Sequence, residues 1–404
     1  MSTLVVITLR IVSAALQAGI LLVLARSTSV SDFGTFSVIF AILTVANAIA
    51  GMGTAQNLLR VTDDERGLRF SILLVGIAGV TVVATISCVV AGFVSYIQFA
   101  VAVAAVSAAA GDAISVLVQN ILLGEHRRRR AQLAMLSARF VPFVTLLLAP
   151  AMELDSFRAI SMSYVLSIAI SCAFVGSRPY NGFRLFQVAR GSVNYWRVTV
   201  WGMLQQLDVP LVNATVGAAS AGAYAAAFRL ASPVHIVTSS ISSLYIPMLT
   251  KESERSARIS LGRSMVLLGW IYIFLLVPVA ILSYWGGPII LGSDYKHYAW
   301  LFPLLIANSA ISVHNQLQIA RLYAEGEART VAKGSRVSTI CGLLVVVPLA
   351  LAGGVTAAAI APILIQVLLL GYLEFSISRR GLRDSEDIYS DVTVMQRLKE
   401  AINV

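Results

Sequence analysis

The stretch LDVPLVNATVGAASAGAYAAAFRL, residues 207–230, carries one carboxylate and one guanidinium in an otherwise apolar run. Asp208 is followed by Pro210, and Arg229 lies near the other end of the stretch. A charged side chain at the centre of a bilayer costs about 2.5–3.5 kcal/mol on insertion scales, so each charge needs a partner or a wet cavity. The stretch therefore predicts two membrane helices joined by a short turn, with their polar groups facing protein rather than lipid.

The rest of the chain has the same apolar character. Of its 404 residues, 58% are hydrophobic and 12% are charged, whereas a soluble protein carries about 25% charged residues. The mean hydropathy is +0.82. The three cysteines stand apart in apolar segments and show no metal-ligand spacing, which predicts small buried side chains and no metal site. The composition therefore predicts an all-α polytopic membrane protein.

About twelve membrane spans are expected, since each needs about 20 mostly apolar residues. The runs lie at 3–25, 34–57, 70–92, 97–122, 132–151, 158–176, 195–216, 222–248, 264–285, 298–322, 336–352 and 355–377. Only Gly353 and Gly354 separate the last two runs, so eleven spans is the nearest alternative count.

The basic residues fix the predicted direction of the spans. Alternate connections hold 24 of the 30 Lys and Arg residues, and the opposite connections hold only Arg26, Arg158 and Lys296. The positive-inside rule makes the rich side cytoplasmic, so both termini are expected in the cytoplasm. The run LGEHRRRRAQ, residues 123–132, belongs to the rich set and is interpreted as a topology anchor. The net charge of +10 is therefore not taken to indicate a nucleic-acid partner.

An internal repeat predicts two halves. At a shift of 188 positions, residues 32–43 of the stretch SDFGTFSVIFAIL (31–43) fall on residues 220–231 of the stretch SAGAYAAAFRLAS (220–232). Gly34 then falls on Gly222, and Phe36 falls on Tyr224. Two halves of six spans share one orientation, related by a pseudo-twofold axis along the membrane normal, with substrate bound between them. We expect an N-terminal lobe at 1–180, a cytoplasmic linker at 181–194, a C-terminal lobe at 195–377 and a cytoplasmic tail at 378–404.

Asp208 and Arg229 lie at matching predicted depth. If the seventh span runs outward and ends near Val216, Asp208 is about 12 Å from the outer end, and Arg229 is about 10 Å into the eighth span. We expect an ion pair between them, with Pro210 kinking the seventh span nearby. The pair has two interpretations, a structural contact and a gating or coupling contact, and the sequence leaves both open.

Arg10 and Arg139 lie within predicted spans of the first half, each about two turns from the inner end. Arginine binds phosphate in a bidentate manner. Together with Arg229 they are candidates for a cationic cavity that binds a pyrophosphate. Asp112, Gln119 and Asn120 on the fourth span could share that cavity, with Asp112 a second gating or coupling candidate. Snorkelling of the arginines to the interface is the alternative.

No catalytic constellation is visible. The chain has no phosphate-binding Gly-rich loop with Lys, no nucleophile elbow and no metal-ligand spacing, so we expect no enzyme and no resident cofactor. Transport should be driven by the substrate gradient or by Na⁺ or H⁺. The lone histidines His235 and His314 are interpreted as satisfied interior residues rather than proton relays.

In both halves a helix and a short outer loop precede a Gly-x-aromatic motif, and Asp208 precedes the second motif at Gly222 and Tyr224. This arrangement resembles the polysaccharide-export and lipid-linked oligosaccharide flippases of the multidrug/oligosaccharidyl-lipid/polysaccharide exporter superfamily. The resemblance implies a multi-pass protein of the bacterial inner membrane that flips a polyprenyl-pyrophosphate-linked sugar unit outward for cell-surface polysaccharide. It also implies a two-lobe bundle around a cationic cavity. Membrane lipids, a polysaccharide polymerase and glycosyltransferases are the expected partners.

Three alternatives remain. A drug or organic-cation antiporter of the same superfamily should carry more acids than bases in its spans, whereas this chain carries three arginines against Asp112 and Asp208. A major-facilitator transporter also has twelve spans, but the loop LLRVTDDERGLRF, residues 58–70, matches its signature poorly. The third is a non-transporting scaffold for polysaccharide assembly.

Overall fold

The computed structural model describes residues 3–58, 66–92, 96–125, 127–175, 199–231, 255–324 and 327–379, together with Val188, Ser192, Trp196 and Val234. Within these ranges the chain is all-α and has no strand. The tail at 380–404 and most of the predicted linker lie outside the described residues.

Residues 199–204 are helical, and thirteen further α-helices have bounds within the described ranges. They are α1 (Thr3–Ser27), α2 (Val30–Ala50), α3 (Thr54–Asn57), α4 (Arg66–Ala91), α5 (Tyr96–Gly124), α6 (Arg128–Leu148), α7 (Ser156–Val175), α8 (Asp208–Val216), α9 (Ala218–Ala231), α10 (Arg255–Leu291), α11 (Leu301–Ala324), α12 (Ala328–Ala358) and α13 (Ile360–Arg379). Short 3₁₀ turns lie at Pro150–Met152, Gln205–Leu207 and Ser293–Tyr298.

Eight of these helices are long and apolar enough to cross a membrane: α2, α4, α5, α6, α7, α10, α12 and α13. Each coincides with a predicted span, and the other four predicted spans overlap α1, α8, α9 and α11. The all-α polytopic class is thus confirmed. The placement of the termini in the cytoplasm stays a prediction.

Large apolar side chains cover the outer faces of several helices. Phe274 and Ile289 on α10 are 71% and 75% exposed, and Leu344 on α12 is 71% exposed. Soluble proteins rarely expose such continuous apolar surface, whereas lipid tails solvate it. These faces therefore identify the lipid-contacting surface of the molecule.

The chain packs as two compact units, one formed by Val12–Ala226 and the other by Met1–Ile11 with Ala227–Val404. We refer to them as the N-terminal unit and the C-terminal unit. The predicted lobe boundaries at 180 and 195 stay predictions, since few residues between them are described.

Helix α5 is the centre of the N-terminal unit and packs against α2, α4, α6 and α7. Its middle reads AVAVAAVSAAAGDA, residues 100–113, so the small side chains let neighbouring helices approach closely. One core of this unit includes Val188 from the predicted linker and is built around the α5 residues Ile114, Leu117, Val118, Ile121 and Leu122.

Two described linker residues, Val188 and Ser192, and Trp196 just after the linker contact the N-terminal unit. Besides the burial of Val188, the amide of Asn57 donates to Ser192 Oγ at 2.9 Å, and the Trp196 indole donates to the Ile49 carbonyl at 3.0 Å. The described linker residues are therefore packed parts of this unit.

A glycine permits the close approach of Trp196. Gly53 has φ +69, and a Cβ there would lie 2.5 Å from the backbone nitrogen of Trp196. Glycine adopts this left-handed conformation at little cost and leaves the space that the neighbouring backbone occupies. The turn after α2 is therefore shaped to receive the chain around Trp196.

In the C-terminal unit, α11 packs against α10, α12 and α13. Helix α12 breaks its helical geometry at Gly353 (φ −144, ψ 23) and Gly354 (φ 66, ψ −160) before α13 begins. The two glycines that separate the last two predicted spans thus mark a real change of direction. A core at one end of these helices is formed by Leu322, Val331, Leu369, Leu373 and Ile377.

Candidate functional site

The candidate site of the N-terminal unit is built around Arg139 on α6. This residue is 8% exposed, and its guanidinium forms an ion pair with Asp112 on α5. A buried arginine in a membrane helix needs such a partner because desolvation of an isolated charge is costly. The sequence predicts both residues in one site, and the structure brings them into direct contact.

Two further polar side chains complete this group. The amide of Gln17 on α1 donates to the second carboxylate oxygen of Asp112 at 3.1 Å. Tyr164 on α7 is buried and interacts electrostatically with Arg139. Its ring packs against Gly111, where an added Cβ would lie only 2.5 Å from the ring. Four helices therefore converge on one pair of opposite charges.

The local fold of α6 supports this geometry. Pro142 lies inside the helix and has no N–H, so the carbonyl of Ala138, four residues earlier, loses its helical donor. Ser167 Oγ on α7 donates to that carbonyl at 3.1 Å. Because Ala138 precedes Arg139, this bond ties α7 to the turn that carries the guanidinium.

Gln119 and Asn120, also considered for the cavity, bond to neighbouring helices. Asn120 donates to the Ala55 carbonyl of α3 at 2.7 Å, and Gln119 donates to the Met135 sulfur of α6 at 3.1 Å. Both contacts join helices of the same unit. In this conformation their amides serve packing.

Asp208 lies in a second polar position of the N-terminal unit. The residue is 7% exposed, and its carboxylate accepts a hydrogen bond from Tyr224 Oη on α9 at 2.6 Å. The other carboxylate oxygen accepts from the backbone N–H of Val209 at 2.7 Å. The acid therefore joins the first turn of α8 to the helix that follows it.

The backbone around Asp208 is irregular. A 3₁₀ turn at Gln205–Leu207 directly precedes α8, which begins at Asp208. Pro210 cannot donate to the carbonyl of Gln206, so a regular α-helical ladder is interrupted at this turn. This is the place where the sequence predicts that Pro210 distorts the seventh span.

The predicted pair of Asp208 with Arg229 stays a prediction. Asp208 belongs to the N-terminal unit, whereas Arg229, which is partly buried near the end of α9, belongs to the C-terminal unit. Arg10 lies on α1, and its side chain is outside the described residues, as is His235. Pyrophosphate binding by Arg10, Arg139 and Arg229 likewise stays a prediction.

Sequence reasoning misses Gln17, Tyr164 and the bond made by Tyr224. The sequence reveals Tyr224 only as part of a Gly-x-Tyr motif, although its hydroxyl is what Asp208 contacts. The role of Gln17 could be suspected from the sequence, since a polar amide inside an apolar span usually contacts another polar group. Tyr164 gives no signal, because tyrosine is common in apolar spans.

Comparison with known protein families shows which family the chain belongs to. A family model described as "Polysaccharide biosynthesis protein" matches residues 23–300, which is more than half of the chain. The chain belongs to this family. No curated protein sequence matches it.

Three solved structures illustrate the fold that this member of the polysaccharide biosynthesis family shares with known transporters and a flippase. An inward-facing multidrug resistance MATE family transporter of the MOP superfamily has a TM-score of 0.70 at 12% identity, covering 96% of this chain and 100% of its own. The lipid II flippase MurJ, in an inward closed conformation, has a TM-score of 0.67 at 12% identity, covering 91% and 86%. The Vibrio cholerae MATE transporter VcmN, solved as a point mutant, has a TM-score of 0.61 at 11% identity, covering 94% and 97%.

These findings show the class of the protein. It is a multi-pass membrane protein of the polysaccharide biosynthesis family, with the fold seen in MATE transporters and in MurJ.

Proposed function

We propose that this protein flips a polyprenyl-pyrophosphate-linked oligosaccharide from the cytoplasmic to the outer leaflet of the bacterial inner membrane, for cell-surface polysaccharide. The observation that carries the proposal is the family match over residues 23–300, whose description is polysaccharide biosynthesis. The likeness to a lipid II flippase supports the same kind of substrate, a sugar on a lipid carrier. We propose that the protein catalyses no covalent reaction. We also propose that its partners are membrane lipids and enzymes of polysaccharide assembly.

The pair of Arg139 and Asp112 suggests how the head group is bound. A guanidinium prefers a bidentate anion, and pyrophosphate offers more acceptor oxygens than one carboxylate. In the absence of substrate Asp112 neutralises Arg139, so the arginine can remain buried without an uncompensated charge. We propose that pyrophosphate replaces Asp112 on Arg139, and that Gln17 then keeps Asp112 hydrogen-bonded.

This exchange makes binding reversible. A free buried arginine would hold pyrophosphate too tightly to release it, whereas a carboxylate beside it competes for the same donors. Release on the outer side is then favoured when Asp112 returns to the guanidinium. Tyr164 holds the guanidinium from α7 throughout, since it is a neutral partner that does not compete as an anion.

The experiment uses the purified full chain in liposomes that carry a fluorescent polyprenyl-pyrophosphate oligosaccharide in both leaflets. A membrane-impermeant quencher reports how much of the lipid exchanges between leaflets. We expect complete exchange with the wild-type chain and the intrinsic one-leaflet limit with empty liposomes. A parallel sample measures export of a cationic dye, and dye export without lipid exchange would replace the proposed substrate by a drug-like cation. Neither activity would favour the scaffold alternative.

Variants test the role of the site. Arg139→Lys keeps the charge but removes the bidentate fork, and it should weaken exchange at low substrate concentration more than at high concentration. The double variant Asp112→Asn with Arg139→Gln removes both charges and should abolish exchange while the protein still purifies as a single species. Arg129→Ala, on the exposed first turn of the same helix, is the matched control and should exchange normally.

A further inference from the structure

Helix α11 carries a buried polar stripe in the C-terminal unit. His314, Asn315, Gln318 and Arg321 are 0%, 1%, 2% and 4% exposed. Their spacing places His314, Gln318 and Arg321 on one face of the helix, since residues three or four apart are neighbours on a helix surface. Such a stripe inside a membrane bundle is costly unless the groups satisfy one another or serve a function.

Part of the stripe is satisfied by α13. Asn315 Nδ2 donates to the carbonyl of Gln366 at 2.8 Å and to its side-chain Oε1 at 2.9 Å. Gln318 Nε2 donates to Glu374 Oε1 at 2.8 Å. These bonds hold α13 in register against α11 and bring a carboxylate to the histidine.

His314 and Glu374 form a titratable pair. His314 Nε2 lies 3.8 Å from Glu374 Oε1, which is close enough for an ion pair when the imidazole is protonated. The Glu374 side chain is 31% exposed, whereas the His314 side chain is fully buried. Glu374 therefore connects the buried ring to the surroundings of the unit, as a path for a proton requires.

The other edge of the ring is enclosed by α10. An added Cβ at Gly269 would lie 2.5 Å from His314 Nδ1, and the Trp270 ring centroid is 5.0 Å from the imidazole centroid. Nδ1 is buried and has no hydrogen-bond partner among the residues that the structure describes. In a neutral imidazole one nitrogen is bare, and Nδ1 suits that role here. A second proton would create an Nδ1–H group with no acceptor against α10.

The helices packed together here, α10 to α13, carry several described titratable groups. Glu374 is the described charged group in contact with His314. Lys333 and Arg336 on α12 are exposed, and Tyr272 Oη on α10 donates to the Val234 carbonyl at 3.2 Å. The other described titratable groups on the packed helices are Tyr284 on α10, Arg321 on α11, Arg329 and Cys341 on α12, and Tyr372 and Arg379 on α13.

We propose that His314 and Glu374 form a proton-binding site whose occupancy changes the packing of α10 against α11. Glu374 stabilises the added positive charge, while the unsatisfied Nδ1–H disfavours the present packing around Gly269. Protonation therefore favours a conformation in which Nδ1 gains an acceptor or water. In the described ranges no cluster of three or more His, Cys, Asp or Glu residues could hold a metal. The link to transport rests on the proposed function, whereas proton binding does not.

Trp270 can report the protonation of His314 by its fluorescence. A protonated imidazole quenches indole fluorescence, and Trp270 lies against His314. The experiment titrates the emission of the purified full chain between about pH 5 and 9 at fixed Na⁺, for the wild type and for Trp270→Phe. The difference between the two isolates Trp270. We expect it to fall as the pH is lowered.

Two variants and one control decide the assignment. His314→Gln should abolish the titration of the Trp270 component, and Glu374→Gln should move its midpoint to lower pH by about one unit or more, since the opposite charge is removed. His297→Gln, in the exposed connection before α11, should leave it unchanged. Each variant is first shown to be monodisperse and to retain wild-type helicity.

Two results would overturn the proton site. One is a Trp270 component that does not titrate in the folded wild-type chain, or that titrates equally in His314→Gln. The other is a response of the same size to added Na⁺ at constant pH, which would assign the site to a metal cation. In liposomes, a pH gradient should stimulate lipid exchange by the wild type and not by His314→Gln. Titration without any lipid exchange would retain the proton site and reject the proposed function.

Discussion

Gly34 and Gly222 pack backbone against backbone. A Cβ added at Gly222 would lie 3.0 Å from the Gly34 Cα, and a Cβ added at Gly34 would overlap the carbonyl of Ala218. The internal repeat relates these two glycines to each other by 188 positions. Their repeat neighbours Phe36 and Tyr224 are 1% and 0% exposed. The repeat thus places equivalent residues of the two sequence halves in direct contact.

Adding one methyl group at this contact should force α2 and α9 apart. We expect Gly34→Ala and Gly222→Ala each to lower the free energy of unfolding in detergent by about 1–3 kcal/mol, the usual cost of overpacking. Gly371→Ala on α13 is the matched control, since no described residue lies within 4 Å of its added Cβ. It should be neutral or slightly stabilising. Equal stability of all three variants would show that α2 and α9 do not depend on this approach.

The hydrogen bond between Tyr224 and Asp208 should contribute measurably to stability. Tyr224→Phe removes a donor from a buried carboxylate, and bonds to charged groups are worth about 1.5–3 kcal/mol. Tyr272→Phe makes the same chemical change where the acceptor is a neutral carbonyl, so about 0.5–1.5 kcal/mol is expected. Denaturant unfolding of both variants in one detergent provides the comparison.

A second substitution separates the bond from the packing of the ring. The loss of unfolding free energy in Tyr224→Phe could arise because the Asp208 carboxylate loses a donor. In that case, adding Asp208→Asn should restore part of the lost stability, because leaving an amide partly unsatisfied costs less than leaving a charge unsatisfied. No recovery would mean that the cost arises elsewhere. Adding Arg229→Gln to Asp208→Asn then tests the predicted ion pair, since paired residues give non-additive losses.

The span pattern is predictable because lipid demands long apolar helices, and nothing else in the sequence competes with that signal. Helix α5 is expected at 97–122 and runs Tyr96–Gly124, and α13 is expected at 355–377 and runs Ile360–Arg379. Helix α5 extends past its apolar run at both ends, whereas α13 begins later than expected because α12 continues to Ala358 beyond its two glycines. Helix α10 extends furthest, beginning at Arg255 instead of near residue 264, because its basic first turns are also good helix formers.

The site is less predictable because partners come from different helices. Depth along the membrane is readable from sequence, and it places Arg139 and Asp112 in one predicted cavity. The rotation of each helix is set by packing, so the contacts of Gln17 with Asp112 and of Tyr224 with Asp208 are not visible in the sequence.

His314 shows the same limit. Its position in an apolar span favours a satisfied interior residue, because most buried histidines find hydrogen-bond partners. The structure confirms the burial, places Glu374 near Nε2 and shows no partner for Nδ1 within the described part of the chain. Glu374 lies 60 positions later on another helix, so only the packing of α13 against α11 brings the two together.

The contributions of Arg139 and Asp112 to stability should be coupled. Either Arg139→Gln or Asp112→Asn leaves a buried charge uncompensated, at a cost of about 3–5 kcal/mol, while the double variant should cost clearly less than the sum. The control is the pair of Arg127, which is exposed, and Glu125, which is partly buried, at 3.6 Å. Arg127→Gln should cost at most about 1 kcal/mol. Additive losses at Arg139 and Asp112 would show that the two charges are stabilised by other groups.

The break in α12 should depend on Gly354. Its backbone, at φ 66 and ψ −160, lies in a region that only glycine adopts readily. Gly354→Ala is therefore expected to lower the free energy of unfolding by about 1–3 kcal/mol, although no atom of the described ranges lies within 4 Å of the added Cβ. Gly371→Ala, in equally open space but in regular helix, separates backbone strain from sterics. If both substitutions leave stability unchanged, α12 can run straight through this position, and the junction with α13 is not fixed by its glycines.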